Sequence, residues 1–406
     1  MIKKRRTTDP IILTIYFVLK PFYLWSSGLP QPADLLLIMY MVIAVMMNGG
    51  KLKAIYATIK WKNTFFVLCI IQLLVNLFWY LFTDDREMIV ASAQYFFNYL
   101  AISLCIHIIA DSGVEKTAKA VCSGSFISVL IAAVSVMLGL GNDKSGRPSG
   151  FFNNPNQLGY YAIIVLTIML LFRNMIHKKQ YWVMLFATIY LNIQSLSKAS
   201  VISVVILLLA EAIVLYREDR NIKRFALMLL IVSVLGTIIF LFLFSDLALF
   251  FNSPILLQLK TRMIGISTEN DSSLMTGRGY ARVYEMGINY LWGMGEGAYE
   301  RFETLKRFEV HSTYINLFVS YGVIVFAGYI KLFAQAIKCH YRTFRNIAYM
   351  SGLFFYFLTH NGIRNTLLWI LLALLISDNQ YYLENKKSYF DLTEYNKISS
   401  TWSDKG

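Results

Sequence analysis

Residues 225–244 read FALMLLIVSVLGTIIFLFLF, a run of 20 residues without a single charged side chain. A helix of about 20 apolar residues can cross the roughly 30 Å hydrocarbon core of a bilayer. Similar runs recur along the 406 residues, of which 57% are hydrophobic and 15% charged, with a mean hydropathy of +0.52. Soluble domains carry about 25% charged residues. The composition therefore predicts a membrane protein and excludes the soluble enzyme classes.

Twelve apolar runs predict an all-α polytopic fold of about 12 transmembrane helices, in one membrane domain that covers residues 1–406. The predicted spans lie near residues 11–28, 34–48, 64–82, 88–110, 120–141, 157–172, 181–197, 199–216, 225–250, 312–335, 347–361 and 365–378. A proline beside a charge can end a helix, as at Lys20 and Pro21 in the first span. No internal repeat is evident, which disfavours transporter folds built from paired halves.

The basic residues predict how the chain is oriented in the membrane. Cytoplasmic loops carry an excess of Lys and Arg. With an even number of spans and the N-terminal MIKKRR as a cytoplasmic anchor, 24 of the 38 Lys and Arg residues lie inside, twelve lie outside, and Lys20 and Lys331 lie within spans. We therefore expect a multi-pass protein of the plasma or inner membrane, with both termini cytoplasmic and residues 379–406 as a cytoplasmic tail. The net charge of +14 then reflects topology, and no nucleic acid is implied.

One predicted external loop, residues 252–311, is much longer than the others. Long loops in compact proteins usually carry function. Apolar residues at helical spacing over 280–292 predict a helix along the membrane interface, within a loop of short helices. The alternative is a packed extracellular cap without a site. The glycines of GMGEG, residues 293–297, do not match a nucleotide-binding pattern and are expected to form tight turns.

Basic residues outside the membrane are informative because the positive-inside rule works against them. Arg147 precedes a span in GRPSGFFNNPNQLG, Lys198 ends the turn SLSK, and Arg278 lies in the long loop. Each one alone can bind a lipid headgroup or pair with a carboxylate such as Glu285. Several converging cations would suit a diphosphate, because arginine offers a planar fork to phosphate oxygens.

Three further groups carry candidate chemistry. His311, at the end of the long loop, titrates near neutrality and can take a proton from a sugar hydroxyl; the alternative is a structural or capping role. Asp84 and Asp85 can ligate a divalent cation, although two carboxylates in a short loop are more often solvated. Glu211 lies deep in a span and is expected to face the bundle interior or a polar cavity. We expect no metal and no cofactor.

These motifs resemble those of the bacterial O-antigen ligase and polymerase superfamily of membrane glycosyltransferases. RPSGFFNNPNQLG, residues 147–159, is similar to the signature Arg-x-x-Gly-x-x-x-x-Pro-Asn, and SLSK, residues 195–198, to a Ser-x-Ser-Arg turn with Lys in place of Arg. TGR at 276–278 and GMG at 293–295 resemble the large-loop pattern. The segment 311–325 resembles the His element of the ligases, except that its last position is valine.

The resemblance implies a GT-C-like fold and a metal-independent transfer of glycan from undecaprenyl diphosphate on the outer leaflet. Polymerases of this superfamily extend a lipid-linked repeat unit, whereas ligases use another lipid or a protein as acceptor. We expect a capsule, exopolysaccharide or O-antigen repeat-unit polymerase, with His311 or a loop carboxylate as base. The predicted catalytic residues are His311 and Arg278, and the predicted substrate-binding residues are Arg147, Lys198, Arg282, Asn154, Asn156 and Glu285.

Two alternatives remain open from the sequence. One is ligase-type transfer to a lipid or protein acceptor. The other, from a different class of protein, is a repeat-unit flippase or other transporter, although flippases tend to have short loops on both sides. The expected partners of the polymerase are the lipid-linked donor and acceptor, membrane lipids, a chain-length regulator and a flippase.

Overall fold

The computed structural model describes residues 9–26, 28–48, 52, 56–141, 146–218, 220, 222–244, 275–304, 308–338 and 342–378. Most of these residues are helical and none forms a β-strand, which confirms the predicted all-α class. Within these ranges, twelve helices have nine residues or more. They are α1 (Ile11–Leu19), α2 (Pro32–Met47), α3 (Tyr56–Thr83), α4 (Glu87–Ser112), α5 (Val114–Met137), α6 (Pro155–Leu171), α7 (Lys178–Gln194), α8 (Lys198–Arg217), α9 (Ile222–Phe244), α10 (Thr313–Ile337), α11 (Thr343–Thr359) and α12 (Thr366–Asp378).

Each of the twelve helices falls on one predicted span. Among the described residues, α3, α4, α5, α8 and α10 are long and apolar enough to cross a membrane, while α2, α6 and α12 are shorter apolar helices. These helices support a membrane-embedded chain. Twelve crossings and the GT-C-like arrangement stay predictions, and the tail at 379–406 and the loop residues 252–274 lie outside the described ranges.

The first predicted span is too long. Helix α1 ends at Leu19, and Lys20 forms a buried ion pair in which its Nζ lies 2.9 Å from Oδ1 of Asp34. The ion pair ties the end of α1 to the start of α2. Residues 21–26, which the apolar pattern assigned to the span, form turns and irregular backbone.

Two helices form the centre of the bundle. Every residue from Leu158 to Phe172 in and just after α6, and from Thr366 to Ser377 in α12, is buried. Small residues allow close helix packing in membranes. A Cβ added at Gly352 of α11, for example, would lie 2.8 Å from the carbonyl oxygen of Ser203 in α8. This close packing holds the middle of α11 against α8.

The chain reverses direction from helix to helix, so its connections gather at two ends of the bundle. We call one of them the loop end; it contains residues 20–26, 28–31, 84–86, 138–141, 146–154, 195–197, 275–304, 308–312 and 360–365. Hydrogen bonds join these connections, such as those from the Tyr23 amide to the Phe151 carbonyl at 3.1 Å and from the Thr313 amide to the His360 carbonyl at 3.1 Å. All the motifs singled out from the sequence lie at this end, except Glu211.

The long loop binds to a break in α10. Gly322 interrupts the helix with φ 74° and ψ −179°. The carbonyl oxygens just before this break, of Val319 and Ser320, accept hydrogen bonds from the amides of Met294 at 2.9 Å and Gly295 at 2.8 Å. Part of the GMGEG segment is therefore attached to α10 by backbone hydrogen bonds.

Glycine is required on both sides of this contact. A Cβ on Gly293 would lie 2.3 Å from the amide nitrogen of Tyr321, and one on Gly322 would lie 2.2 Å from the carbonyl oxygen of Leu291. Both glycines also have positive φ, which other residues adopt at a cost. Gly293, one of the glycines that we expected to form tight turns, brings the loop backbone against the helix.

The predicted interfacial helix over 280–292 is not continuous. One helical turn covers Arg282–Glu285 and a 3-10 turn covers Gly287–Tyr290, and the positive φ of 55° at Gly287 interrupts the regular backbone after the first turn. Large apolar side chains of this segment are nevertheless exposed: Tyr284, Ile288, Tyr290, Leu291 and Trp292. Exposed apolar groups are what a membrane interface would cover.

Candidate functional site

Arg147 is held against the start of α6. Its Nη2 donates to the carbonyl oxygen of Ser195 at 2.6 Å and to Oδ1 of Asn156 at 3.3 Å, and only 7% of the residue is exposed. Asn154 caps the helix, because its Oδ1 accepts a hydrogen bond from the amide of Gln157 at 2.9 Å. Within this motif, the Asn156 side chain therefore binds Arg147, and the Asn154 side chain caps α6.

The turn at 195–197 joins this arginine to the end of α11. The Ser195 carbonyl binds Arg147, and the Ser197 side chain interacts with the Tyr356 hydroxyl. The same hydroxyl donates to the carbonyl oxygen of Asn156 at 3.0 Å. Lys198 is the first residue of α8, directly after the turn, and is half-buried.

His360, just after α11, is a site residue that the sequence analysis did not select. Its ring stacks on that of Tyr356 with centroids 4.3 Å apart, and its Nδ1 lies 3.0 Å from Oγ1 of Thr359. Its carbonyl oxygen accepts hydrogen bonds from the amide of Thr313 at 3.1 Å and from Oγ1 of the same residue at 3.0 Å. The end of α11 is therefore fixed to the start of α10.

Arg278 and His311 approach the same histidine from the long loop. Nη1 of Arg278 donates to the carbonyl of Thr359 at 3.1 Å, and its own carbonyl accepts from the amide of His311 at 3.1 Å. Burial holds the pKa of His360 well below its usual range, and the nearby charges of Arg278, His311 and Arg147 lower it further. We call these four residues the Arg-His group. The lowered pKa keeps the His360 imidazole neutral at neutral pH.

A carboxylate lies next to the Arg-His group. Glu309 forms an ion pair with Arg364, and Nδ2 of Asn361 lies 3.5 Å from its Oε2. Arg364 also approaches a second carboxylate, with its Nε 3.5 Å from Oε1 of Glu296. Burial raises the pKa of Glu309, Arg364 lowers it, and Glu296 raises it further. The side chain of Glu309 is 31% exposed, so it remains open to solvent.

Glu296, the acid of GMGEG, anchors the loop in the bundle. Its Oε2 accepts hydrogen bonds from the hydroxyls of Tyr95 at 3.1 Å and Tyr321 at 2.8 Å, and its Oε1 accepts from Nδ2 of Asn316 at 2.9 Å. Its amide donates to Oδ1 of Asn76 at 2.9 Å. The carboxylate joins α4 to α10, and the amide of the same residue adds α3, so Glu296 joins three helices beneath the loop.

Two of the predicted site residues bind the backbone of the long loop itself. Arg282 is buried, and its Nε and Nη2 donate to the carbonyls of Thr304 at 3.0 Å and Phe308 at 2.6 Å. Glu285 accepts hydrogen bonds from the amides of Glu303 at 2.8 Å and Thr304 at 3.0 Å. Both side chains hold the backbone of the loop, and Asn154 has the capping role described above.

Asp85, one of the two carboxylates considered as metal ligands, has backbone partners. Oδ1 of Asp85 accepts from the amide of Glu87 at 2.9 Å, and its Oδ2 accepts from the amide of Ala298. Across the described ranges, no three His, Cys, Asp or Glu side chains lie close enough together to hold a metal ion. Asp85 therefore fixes the loop to the start of α4.

Glu211 faces the bundle interior, as predicted, at the end opposite the loop end. It is 1% exposed, and Nη1 of Arg173 lies 3.0 Å from its Oε2. The hydroxyl of Tyr181 donates to its Oε1 at 3.0 Å, and that of Tyr349 donates to its Oε2. The ion pair and the two hydroxyls compensate the charge, which gives Glu211 a structural role.

Comparison with known proteins finds no relative: no family model, no curated protein and no solved structure matches the chain. Proposals about function therefore rest on the residues and their geometry.

Proposed function

We propose that the chain is a membrane glycosyltransferase that polymerises undecaprenyl-diphosphate-linked repeat units on the outer leaflet of the plasma or inner membrane, without a metal ion. The product would be a capsule, an exopolysaccharide or an O-antigen. One observation carries the proposal. Arg147, Arg278, His311 and His360 come from three separate segments of the chain and meet at one end of the helical bundle.

Two oriented arginines suit a diphosphate. A backbone carbonyl holds each guanidinium, that of Ser195 for Arg147 and that of Thr359 for Arg278. Arginine remains charged and offers a planar fork to phosphate oxygens, so an oriented pair binds the leaving group with defined geometry. Cations fixed in this way stabilise negative charge as it develops, without reorganisation during the reaction.

The reaction is a displacement at the anomeric carbon of the donor sugar. The hydroxyl oxygen of the acceptor forms the new bond to this carbon, and the bond to the diphosphate oxygen breaks. The diphosphate leaves with the electron pair, and Arg147 and Arg278 stabilise its added charge. The hydroxyl proton goes to a base, for which His311 and a loop carboxylate are the candidates.

The orientation of the chain explains the choice of donor. Both termini are cytoplasmic, as the split of basic residues favours, so the loop end faces outward. Nucleotide sugars are cytoplasmic, and an enzyme outside therefore depends on a lipid-linked donor that a flippase delivers. A chain-length regulator is the further expected partner. A ligase would use the same donor site and differ only in its acceptor.

Cells that lack the protein separate this function from the flippase alternative. With the transferase missing, repeat units linked to undecaprenyl diphosphate accumulate on the outer leaflet, because delivery continues and consumption stops. The position of the sugar is measured by its accessibility to an added lectin or glycosidase in intact spheroplasts. Accumulation on the inner leaflet, with the sugar protected until the membrane is opened, would identify a flippase and overturn the proposal.

A further inference from the structure

Glu309 lies two residues before His311, in the last part of the long loop. We propose that Glu309 is the catalytic base, the group that takes the proton from the acceptor hydroxyl. This inference rests on the proposed glycosyltransferase function and assigns the base within it. It also gives Arg364 the role of a positioning residue.

Backbone connections place this carboxylate at the site. Glu309 and His311 flank Val310, which is 1% exposed, whereas the two flanking residues are only partly buried. The amide of His311 is bound to Arg278, and Asn361, the neighbour of His360, approaches the Glu309 carboxylate. Glu309 is therefore adjacent to the Arg-His group through both the loop and the connection after α11.

Burial favours a carboxylate over an imidazole as the base. Both groups gain one positive charge when they accept a proton, so nearby cations lower the pKa of either one. Burial disfavours the charged form, and it therefore raises the pKa of a carboxylate and lowers that of an imidazole. Burial acts in these two directions on the pKa of Glu309 and on that of His360.

The surroundings of Glu309 tune its basicity in both directions. Burial raises its pKa, which makes the carboxylate a stronger base, and Arg364 keeps it ionised. The charged and polar groups that face it are Arg364 and Asn361 from the connection before α12, Glu296, Arg282 and Tyr299 from the loop, and Glu87 from α4. Arg364 also pairs with the buried carboxylate of Glu296. Glu296 therefore helps to position Arg364, which in turn positions Glu309.

The proton then has a route away from the site. In the displacement, the acceptor O–H bond breaks as its oxygen bonds to the anomeric carbon, and the proton passes to an Oε of Glu309. The diphosphate leaves with the electron pair of the broken glycosyl bond. Because the Glu309 side chain is 31% exposed, water can remove the proton after each transfer.

Purified protein in detergent, with synthetic undecaprenyl-diphosphate-linked repeat units, tests the assignment. Glu309→Gln preserves the shape and removes the base, and its expected result is a loss of roughly 10²-fold or more in kcat with unchanged donor binding. Glu303→Gln changes an exposed carboxylate of the same loop and should keep the wild-type rate. A Glu309→Gln variant with a near-normal kcat, or one that loses donor binding in proportion to rate, overturns the assignment.

The pH dependence of kcat/KM separates an effect on the base from a purely structural effect of Arg364 or Asn361. Arg364 and Asn361 both lower the pKa of Glu309, and the base must be deprotonated to act. Arg364→Gln and the milder Asn361→Ala should therefore raise this pKa and move the acid limb of kcat/KM to higher pH. A lower rate with an unmoved limb in both variants contradicts the assignment.

The two hypotheses fail in different ways. If wild-type protein lengthens the glycan but Glu309→Gln does so equally well, and His311→Ala instead removes the acid limb, His311 is the base and only this inference is wrong. If the wild-type protein lengthens no glycan at any pH, both the inference and the proposed function are wrong.

Discussion

Arg147→Ala and Arg278→Ala are each expected to lower the rate of glycan polymerisation at least ~10-fold, because a hydrogen bond to a charged group contributes about 1.5 to 3 kcal/mol. Each substitution should lower the polymerisation rate more than the affinity for the donor, since negative charge on the diphosphate grows in the transition state. Arg278→Ala is the cleaner variant because its side chain is only partly buried. The polymerisation rate is measured per amount of purified protein, for variants that reach the membrane at normal levels.

Lysine variants and a matched control distinguish phosphate binding from general electrostatics. Arg147→Lys should restore only part of the rate, because a point charge replaces the planar fork. Arg86→Ala removes an exposed cation from the same end of the bundle and should have no effect on rate. Wild-type rates for both Arg147→Ala and Arg278→Ala would mean that these arginines bind lipid headgroups or serve structure.

Glu296→Ala is expected to destabilise the protein by about 3 to 5 kcal/mol, the usual cost of removing one partner from a buried ion pair. The carboxylate accepts hydrogen bonds from Tyr95, Tyr321 and Asn316, and its loss leaves these donors unpaired in the interior. Arg364 would also lose one of its two carboxylates. Unfolding with increasing SDS in mixed micelles measures the change in free energy.

Two further variants calibrate that measurement. Glu296→Gln keeps one acceptor oxygen and should cost less than the alanine variant. Glu300→Ala changes an exposed acid nearby and should stay within about 0.5 kcal/mol of wild type. If Glu296→Ala were as stable as Glu300→Ala, Glu296 would not be the anchor of the loop.

Much of the helical architecture could be predicted from the sequence because apolar runs of membrane length have few other stable conformations. Each predicted span falls on a helix, and Asn154 marks the start of α6 by capping it. The boundaries were less predictable where a single residue decides them. Helix α1 ends just before Lys20, which pairs with Asp34, and Gly287 interrupts the expected interfacial helix.

The candidate site was predictable only in part. Arg147, Arg278 and His311 were found through local motifs. His360 and Glu309 belong to no local pattern, because their surroundings are assembled from segments far apart in the chain, as in the contact of Glu309 with Arg364 across 55 residues. One signal was present in the sequence: an arginine such as Arg364, close to a predicted span, needs a carboxylate when it is buried.

A metal-independent transfer from a lipid-linked diphosphate is most directly tested with purified protein and synthetic lipid-linked repeat units in detergent that contains EDTA. Detergent removes the two leaflets, so a flippase has nothing to transport and cannot lengthen a glycan. We expect a ladder of products that differ by one repeat unit, formed at the same rate with and without EDTA. Unchanged substrate would contradict the transferase, and a ladder that appears only after Mg²⁺ or Mn²⁺ is restored would contradict metal independence and move attention to Asp84 and Asp85.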